Sequence, residues 1–184
     1  MIFYVSEKFK VHVHQCPFAE KVNPALHEII LEKGVNRDKG AWMTEWNVYD
    51  IKEFKLIGDF ALNLIHSWEK GAKDGDNYIL NPTEAEPLVI TDLWGQYTNK
   101  GDYQNFHIHH PAHWSFAYYV NTPKGSSPLI FKGGKKVPAK AGQMVLFPSW
   151  VSHAVPPNRC DHRSVISGNL CYDSFRWRSK GYSE

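Results

Sequence analysis

The hydrophobic pattern of this chain changes period once, near residue 88, and that change limits the fold more than any other feature. Before it, apolar residues recur at three- and four-residue steps; after it they fall in short runs cut by Gly, Pro and Asn. Strands are predicted at 88–94, about 104–109, 114–120, 128–132, 143–147 and 163–170, with turns such as Asn121-Thr122-Pro123-Lys124-Gly125 and Lys132-Gly133-Gly134-Lys135 between them. Several short strands at this spacing make a sandwich or barrel rather than a doubly wound parallel sheet. Upstream, Asn23 as N-cap and Pro24 at the first helical position predict a helix over about 24–33, stopped by Gly34. Asp50 and Glu53 resemble a capping box, and Ile51, Phe54, Ile57, Ala61, Leu64, Ile65 and Trp68 predict a second helix over about 51–70, ending at Gly71. The stretch from Gly71 to Pro87 is rich in turn formers and reads as a loop. The expectation is a mainly β fold with flanking helices: a single domain over 1–184, with a helical support layer over 1–75 packed outside a β core over 88–175.

Composition narrows the function classes without naming one. With 184 residues, 42% hydrophobic and 22% charged, the chain has the make-up of an ordinary globular domain, not of a disordered or coiled-coil segment. Its 21 basic and 19 acidic residues nearly balance, which argues against a nucleic-acid partner. The basic-aromatic end carrying Arg176, Trp177, Arg178 and Lys180 reads more simply as a solvated terminus. No apolar run approaches the ~20 residues that cross a bilayer, and Met1-Ile2-Phe3-Tyr4 runs into charge without a signal-peptide core, so no membrane partner and a cytoplasmic location are expected. Cys16, Cys160 and Cys171 are odd in number and lack a CxxC spacing, which predicts free thiols rather than disulfides or a thiolate zinc site.

Histidine is where the chain is unusual. Of ten histidines, His107, His109, His110 and His113 fall within seven residues. Side chains at i and i+2 of a strand share a face, so His107 and His109 can converge on one ion. A third ligand must come from another strand, and His153 follows the apolar run Met144–Phe147 and the Pro148-Ser149-Trp150 turn. A histidine near strands is most often a hydrogen-bonded structural residue, but the pair, the distant partner and a downstream arginine together favour a metal site at His107, His109 and His153. Imidazole suits Fe(II), Zn, Cu or Ni, and three protein ligands leave coordination positions open for catalysis. The rival arrangement completes the site with His110 or His113 in place of His109. Arg163 opens the last predicted strand; a guanidinium inside a barrel needs a carboxylate, either from a ligand or from nearby Asp161. Trp94, Tyr97, Trp114, Tyr118 and Trp150 are candidates to line the pocket, though aromatics of β-sandwiches more often fill the core.

The run Gly101-Asp102-Tyr103-Gln104-Asn105-Phe106-His107-Ile108-His109, the strand Trp114–Val120, the segment Leu146–Pro156 and the strand Arg163–Asn169 together resemble the 2-oxoglutarate- and Fe(II)-dependent oxygenases. Within them they resemble a branch of small proteins of marine bacteria and phages with an HxH…H motif. Trp42-Met43-Thr44 fits the same pattern loosely. The resemblance covers most of the chain and is most specific in its second half. It implies a double-stranded β-helix, the jelly roll of the cupin-like folds. It further implies a dioxygenase that consumes 2-oxoglutarate and O2, releases succinate and CO2, and hydroxylates a prime substrate that the sequence does not identify. Fe(II) would be held by His107, His109 and His153, the distal carboxylate of 2-oxoglutarate by Arg163, with Tyr103 and Asn105 as further cosubstrate contacts. One departure stands out: the superfamily's usual triad is HxD…H, and His109 stands where the carboxylate would be. Two alternatives use the same histidines: a cupin-like three-His enzyme that does not use 2-oxoglutarate, and a non-catalytic metal-binding jelly-roll module.

Overall fold

The computed structural model describes residues 9–36, 41–71 and 88–173, with the side chains of 68–71 left aside. The predicted 71–87 loop falls almost entirely, and the basic-aromatic end wholly, outside these residues. The elements, in chain order, are β1 (His12–Gln15), α1 (Ala19–Lys33), β2 (Val35–Asn36), β3 (Ala41–Met43), α2 (Lys52–Gly71), β4 (Leu88–Thr98), β5 (Gln104–His107), β6 (Trp114–Asn121), β7 (Leu129–Phe131), β8 (Lys136–Val137), β9 (Gln143–Pro148), β10 (His153–Val155) and β11 (Arg163–Tyr172). They form a seven-stranded sheet in the order β1-β9-β6-β11-β4-β3-β2 and a four-stranded sheet in the order β5-β10-β7-β8. The strand pairs are antiparallel, and the two sheets with helices against one of them make the sandwich that the strand pattern predicts, in the jelly-roll form that the resemblance implies.

Strand alternation sorts the core into two layers. On β6, Phe116, Tyr118 and Val120 face the helices while Ala117 and Tyr119 face the second sheet; on β9, Met144 and Leu146 divide from Val145 and Phe147 in the same way. Ile166 and Leu170 of β11 join the helix-side layer, where Leu26 and Ile30 of α1 and Phe54, Ile57, Ala61 and Ile65 of α2 pack. Each such fully buried Leu, Ile or Phe side chain contributes about 1.5–3 kcal/mol, so the helices brace the large sheet and leave its other face to the interior of the roll. Cys16, Cys160 and Cys171 are free thiols, as expected. No described helix is long and apolar enough to cross a membrane.

The amino-terminal layer is not purely helical. Short strands β1, β2 and β3 lie in it and extend the large sheet at both edges. With four, two and three residues they are too short to show a period of their own, and pairing with β9 and β4 makes them strands. Helix α1 begins at Ala19 rather than Pro24, which sits inside it. The Phe18 carbonyl accepts the amides of Lys21 and Val22, adding a turn that buries Ala19 and Val22. Asn23 therefore caps nothing: its Nδ2 donates to the Val120 carbonyl at 2.9 Å, and its Oδ1 accepts the Tyr118 hydroxyl at 2.7 Å. Likewise α2 starts at Lys52, which leaves Asp50 two residues before its first turn. Strand β4 runs on to Thr98, four residues beyond the predicted end, because it pairs with β11 along its whole length.

Candidate metal centre

Strand β5 ends at His107, so the two histidines of the HxH segment are not placed by strand alternation. His107 pairs with His153 across the β5–β10 ladder, which brings those two rings to 4.3 Å between centroids. His109 lies past the strand and is positioned by its main chain, whose amide donates to the Ser149 carbonyl at 2.9 Å. The result is a cluster in which one ligand atom from each of His107, His109 and His153 lies within 4.8 Å of the others. His109 Nε2 and His153 Nε2 are 3.2 Å apart, the separation expected of two donors sharing one ion at bond lengths of about 2.0–2.1 Å.

The main chain sets the tautomers. His107 Nδ1 meets the Asn105 carbonyl at 2.8 Å, and His153 Nδ1 meets the Val151 carbonyl at 2.9 Å. A carbonyl only accepts, so each Nδ1 carries the proton and each Nε2 keeps its lone pair for a metal. Burial, then repulsion from His107, lowers His109 to about 4. His153, 4% exposed, is lowered to about 3, chiefly by burial and less by its two neighbours, with the Val151 carbonyl opposing. Both rings are thus neutral at neutral pH, the state in which imidazole binds metal.

Beneath Ser149 runs a buried polar chain. The Ser149 hydroxyl meets that of Ser115 at 2.7 Å, Ser115 donates to Asn169 Oδ1 at 2.9 Å, and Asn169 Nδ2 donates to Asp92 Oδ2 at 3.1 Å. Strands β6, β11 and β4 are thereby tied to the residue that holds His109.

The three histidines line a cleft between the sheets, and Arg163 lines the same cleft. Arg163 is 2% exposed, and its guanidinium lies 5.3 Å from the centre of the Tyr119 ring. Arg163 Nε and the Tyr119 hydroxyl are buried and have no hydrogen-bond partner among the described residues. Burial raises the Tyr119 phenol, against the pull of Arg163, and so keeps it protonated. Asp161 does not pair with Arg163; its carboxylate accepts the Lys100 amide at 3.0 Å. Trp94 Nε1 and Gln96 Oε1 are two further unpartnered buried atoms on the cleft wall.

Other expected residues lie elsewhere. Tyr103 is 46% exposed and does not line the cleft, because it precedes β5 and turns outward; Asn105 is exposed and serves the site through its carbonyl. His110 is exposed, and His113 packs on Tyr172 at 4.7 Å, so neither joins the cluster. Of the five aromatics considered, Trp94 alone lines the cleft. Tyr97 stacks on Trp42, Trp114 packs on His12, Tyr118 fills the helix-side core and Trp150 is an exposed neighbour of Phe9. Tyr119 escaped sequence reading, although its parity with Ala117 on a predicted strand marks it as facing the opposite side from Tyr118. The Asn105 and Val151 carbonyls leave no signal in side-chain identity.

No family model matches the sequence, and no curated protein matches it. Solved structures do. A viral collagen prolyl hydroxylase from Paramecium Bursaria Chlorella virus-1, in complex with 2-oxoglutarate, is 12% identical with a TM-score of 0.67 over 87% of this chain and 94% of that one. A prolyl hydroxylase from Trichoplax adhaerens is 15% identical with a TM-score of 0.61, covering 94% and 87%. HygX from Streptomyces hygroscopicus, with nickel, 2-oxoglutarate and hygromycin B bound, is 10% identical with a TM-score of 0.63, covering 88% and 82%. What this chain shares with them is the fold of the 2-oxoglutarate- and Fe(II)-dependent oxygenases, the jelly roll.

Proposed function

We propose that this protein is a 2-oxoglutarate- and Fe(II)-dependent dioxygenase, with His107, His109 and His153 as metal ligands and Arg163 as the anchor of the cosubstrate's distal carboxylate. The observation that carries the reading is Arg163: a buried guanidinium with no carboxylate partner among the described residues, opening on the same cleft as three converging imidazoles. An arginine does not give up its proton, so burial without a counter-ion is costly until a ligand supplies one. 2-Oxoglutarate carries a carboxylate for Arg163 at one end and a keto-acid for the metal at the other. The overall reaction balances as R–H + O2 + 2-oxoglutarate giving R–OH + succinate + CO2. Bound iron would supply the activation of O2.

The residues' own contributions follow from their places. Arg163 Nε–H and the Tyr119 hydroxyl are both free to donate to a carboxylate. The Asn105 and Val151 carbonyls hold His107 and His153 in the metal-binding tautomer. Phe147, Leu129, Val155 and Val165 line the cleft and exclude water from it. Asn105 acts in this reading through its backbone, and Tyr103, exposed and off the cleft wall, is given no role in holding the cosubstrate.

The test is an anaerobic titration of the Fe(II)-loaded protein with 2-oxoglutarate, followed by visible absorption. A saturating metal-to-ligand charge-transfer band is expected. Iron binding without that band would favour the three-His enzyme that does not use 2-oxoglutarate, or the binding module, and would leave Arg163 to another carboxylate.

A further inference from the structure

Resting on that oxygenase reading, we infer that the prime substrate presents an anionic group to the metal end of the cleft, and that His109 is the residue that leaves room for its charge. Three neutral imidazoles leave the two positive charges of a divalent ion untouched, and Arg163 adds a third. 2-Oxoglutarate returns two negative charges, so one positive charge remains. A carboxylate at position 109 would cancel it. The imidazole does not, and among the described residues no Asp or Glu lines the cleft. The neighbouring acids are engaged outside it: Asp92 with Asn169 and Thr91, Asp102 with the Asn99 amide, Asp161 with the Lys100 amide. A charge left uncompensated in a low-dielectric cleft attracts a counter-charge strongly.

A second observation points the same way. Trp94, 4% exposed, lines the cleft with its ring 6.1 Å from that of His109, and its Nε1–H has no partner among the described residues. An indole N–H only donates, so the missing partner is an acceptor. Trp94 pairs with Ser167, four residues along β11 from Arg163, so it offers this hydrogen bond on the His109 side of the cleft. Trp46, 51% exposed, packs on Trp94 at 4.9 Å and continues this wall to solvent.

The experiment uses the whole chain loaded with Co(II) and 2-oxoglutarate, titrated with acetate and with azide and followed by visible absorption, with imidazole as the uncharged control. Both anions should bind at least tenfold more tightly to the wild type than to Gln96→Glu or His109→Asp, each of which adds a negative charge to the cleft. Imidazole should change less than threefold, and Trp94→Phe should weaken the anions alone. Gln96→Glu leaves all three ligands in place, so the comparison stands even where His109→Asp loses its metal. Anion affinities within twofold across the wild type and Gln96→Glu overturn the inference and leave the oxygenase reading intact. A Co(II) spectrum that 2-oxoglutarate does not change overturns the parent reading and the charge count with it.

Discussion

The His109 amide donates to the Ser149 carbonyl at 2.9 Å and the Ser149 amide donates to the His113 carbonyl at 3.0 Å, and these two bonds hold the segment carrying the imidazole that β5 ends too early to place. Ser149 is in turn held through Ser115 and Asn169 to Asp92, so the HxH segment hangs from a polar chain crossing three strands of the large sheet. The consequence is that the geometry of the third ligand depends on residues that never touch the metal.

Ser115→Ala should therefore weaken metal binding without removing a ligand. The substitution leaves the Ser149 hydroxyl and Asn169 Oδ1 unsatisfied in a buried place, at a cost of about 1–3 kcal/mol in stability. Co(II) affinity measured by calorimetry should fall about tenfold, within the range known for residues that orient metal ligands. Unchanged affinity together with lost stability would make the chain purely structural.

Arg163 can be separated from the metal by replacing it with an apolar side chain of similar length. Arg163→Met should lower 2-oxoglutarate affinity by about 2–5 kcal/mol, the loss typical of a buried charge-pair partner, while Co(II) affinity changes by less than threefold. The metal-free variant should be as stable as the wild type or more so, because an uncompensated buried charge has been removed. Equal losses of metal and 2-oxoglutarate would remove Arg163 from the anchor role.

Which parts of this arrangement were legible in the sequence follows from how each is encoded. Strands β4, β5, β6, β7, β9 and β11 are marked by apolar runs cut by turn residues, whereas β8 and β10, of two and three residues, leave no such signal and are strands through pairing with β7 and β5; His107, His153 and Arg163 sit at strand ends. The HxH pair was legible as a cluster, but its convergence comes from a main-chain bond rather than from the strand period. Asn23-Pro24 misled because the Asn side chain finds two partners on β6, while the helix gains an earlier turn from the Phe18 carbonyl. Tyr103 has the spacing of a cosubstrate contact, yet it lies before β5 begins and points outward. Contacts between distant strands, such as Tyr119 with Arg163, have no local signature at all.

The reassignment of Asn23 gives a prediction of its own. Asn23→Ala removes two hydrogen bonds between α1 and β6 and should cost about 1–3 kcal/mol in chemical denaturation. Metal affinity should stay within twofold of the wild type, because the residue lies on the helix side of the sheet. A loss below 0.5 kcal/mol, typical of a surface position, would return Asn23 to a peripheral role.

Protonation should destabilise the metal-free protein in a defined direction. The folded values of His109, about 4, and His153, about 3, lie below the ordinary 6.5 of an unfolded histidine. The unfolded chain therefore binds more protons below that value. The stability these rings confer is present above pH 6.5 and is lost as pH falls toward 4 and 3. His27, also lowered mainly by burial, adds to the slope from the other side of the sheet. Denaturant midpoints of the metal-free protein should fall steadily between pH 7 and 5, and the double variant His109→Gln/His153→Gln should show a smaller slope. Equal slopes would mean that these two rings are already protonated or solvated in the fold.

The seating of the helices on β4 can be tested at Gly95, which lies between the cleft-facing Trp94 and Gln96 and turns its own missing side chain toward the helix layer. A Cβ there would come within 2.6 Å of Ile30 Cγ1 and 3.0 Å of Phe54 Cζ, one from each helix. The same residue is pinned by Thr44, whose amide donates to its carbonyl at 2.9 Å and whose hydroxyl accepts its amide at 3.0 Å, so the strand cannot retreat freely. Gly95→Ala should therefore destabilise by the 1–3 kcal/mol common for overpacking, about as much as the core can absorb by shifting a helix. Because Trp94 and Gln96 move with the strand, 2-oxoglutarate and anion binding should weaken alongside stability. If Gly95→Ala unfolds at the wild-type denaturant midpoint, the helices are not packed tightly enough on β4 to hold the cleft wall in place.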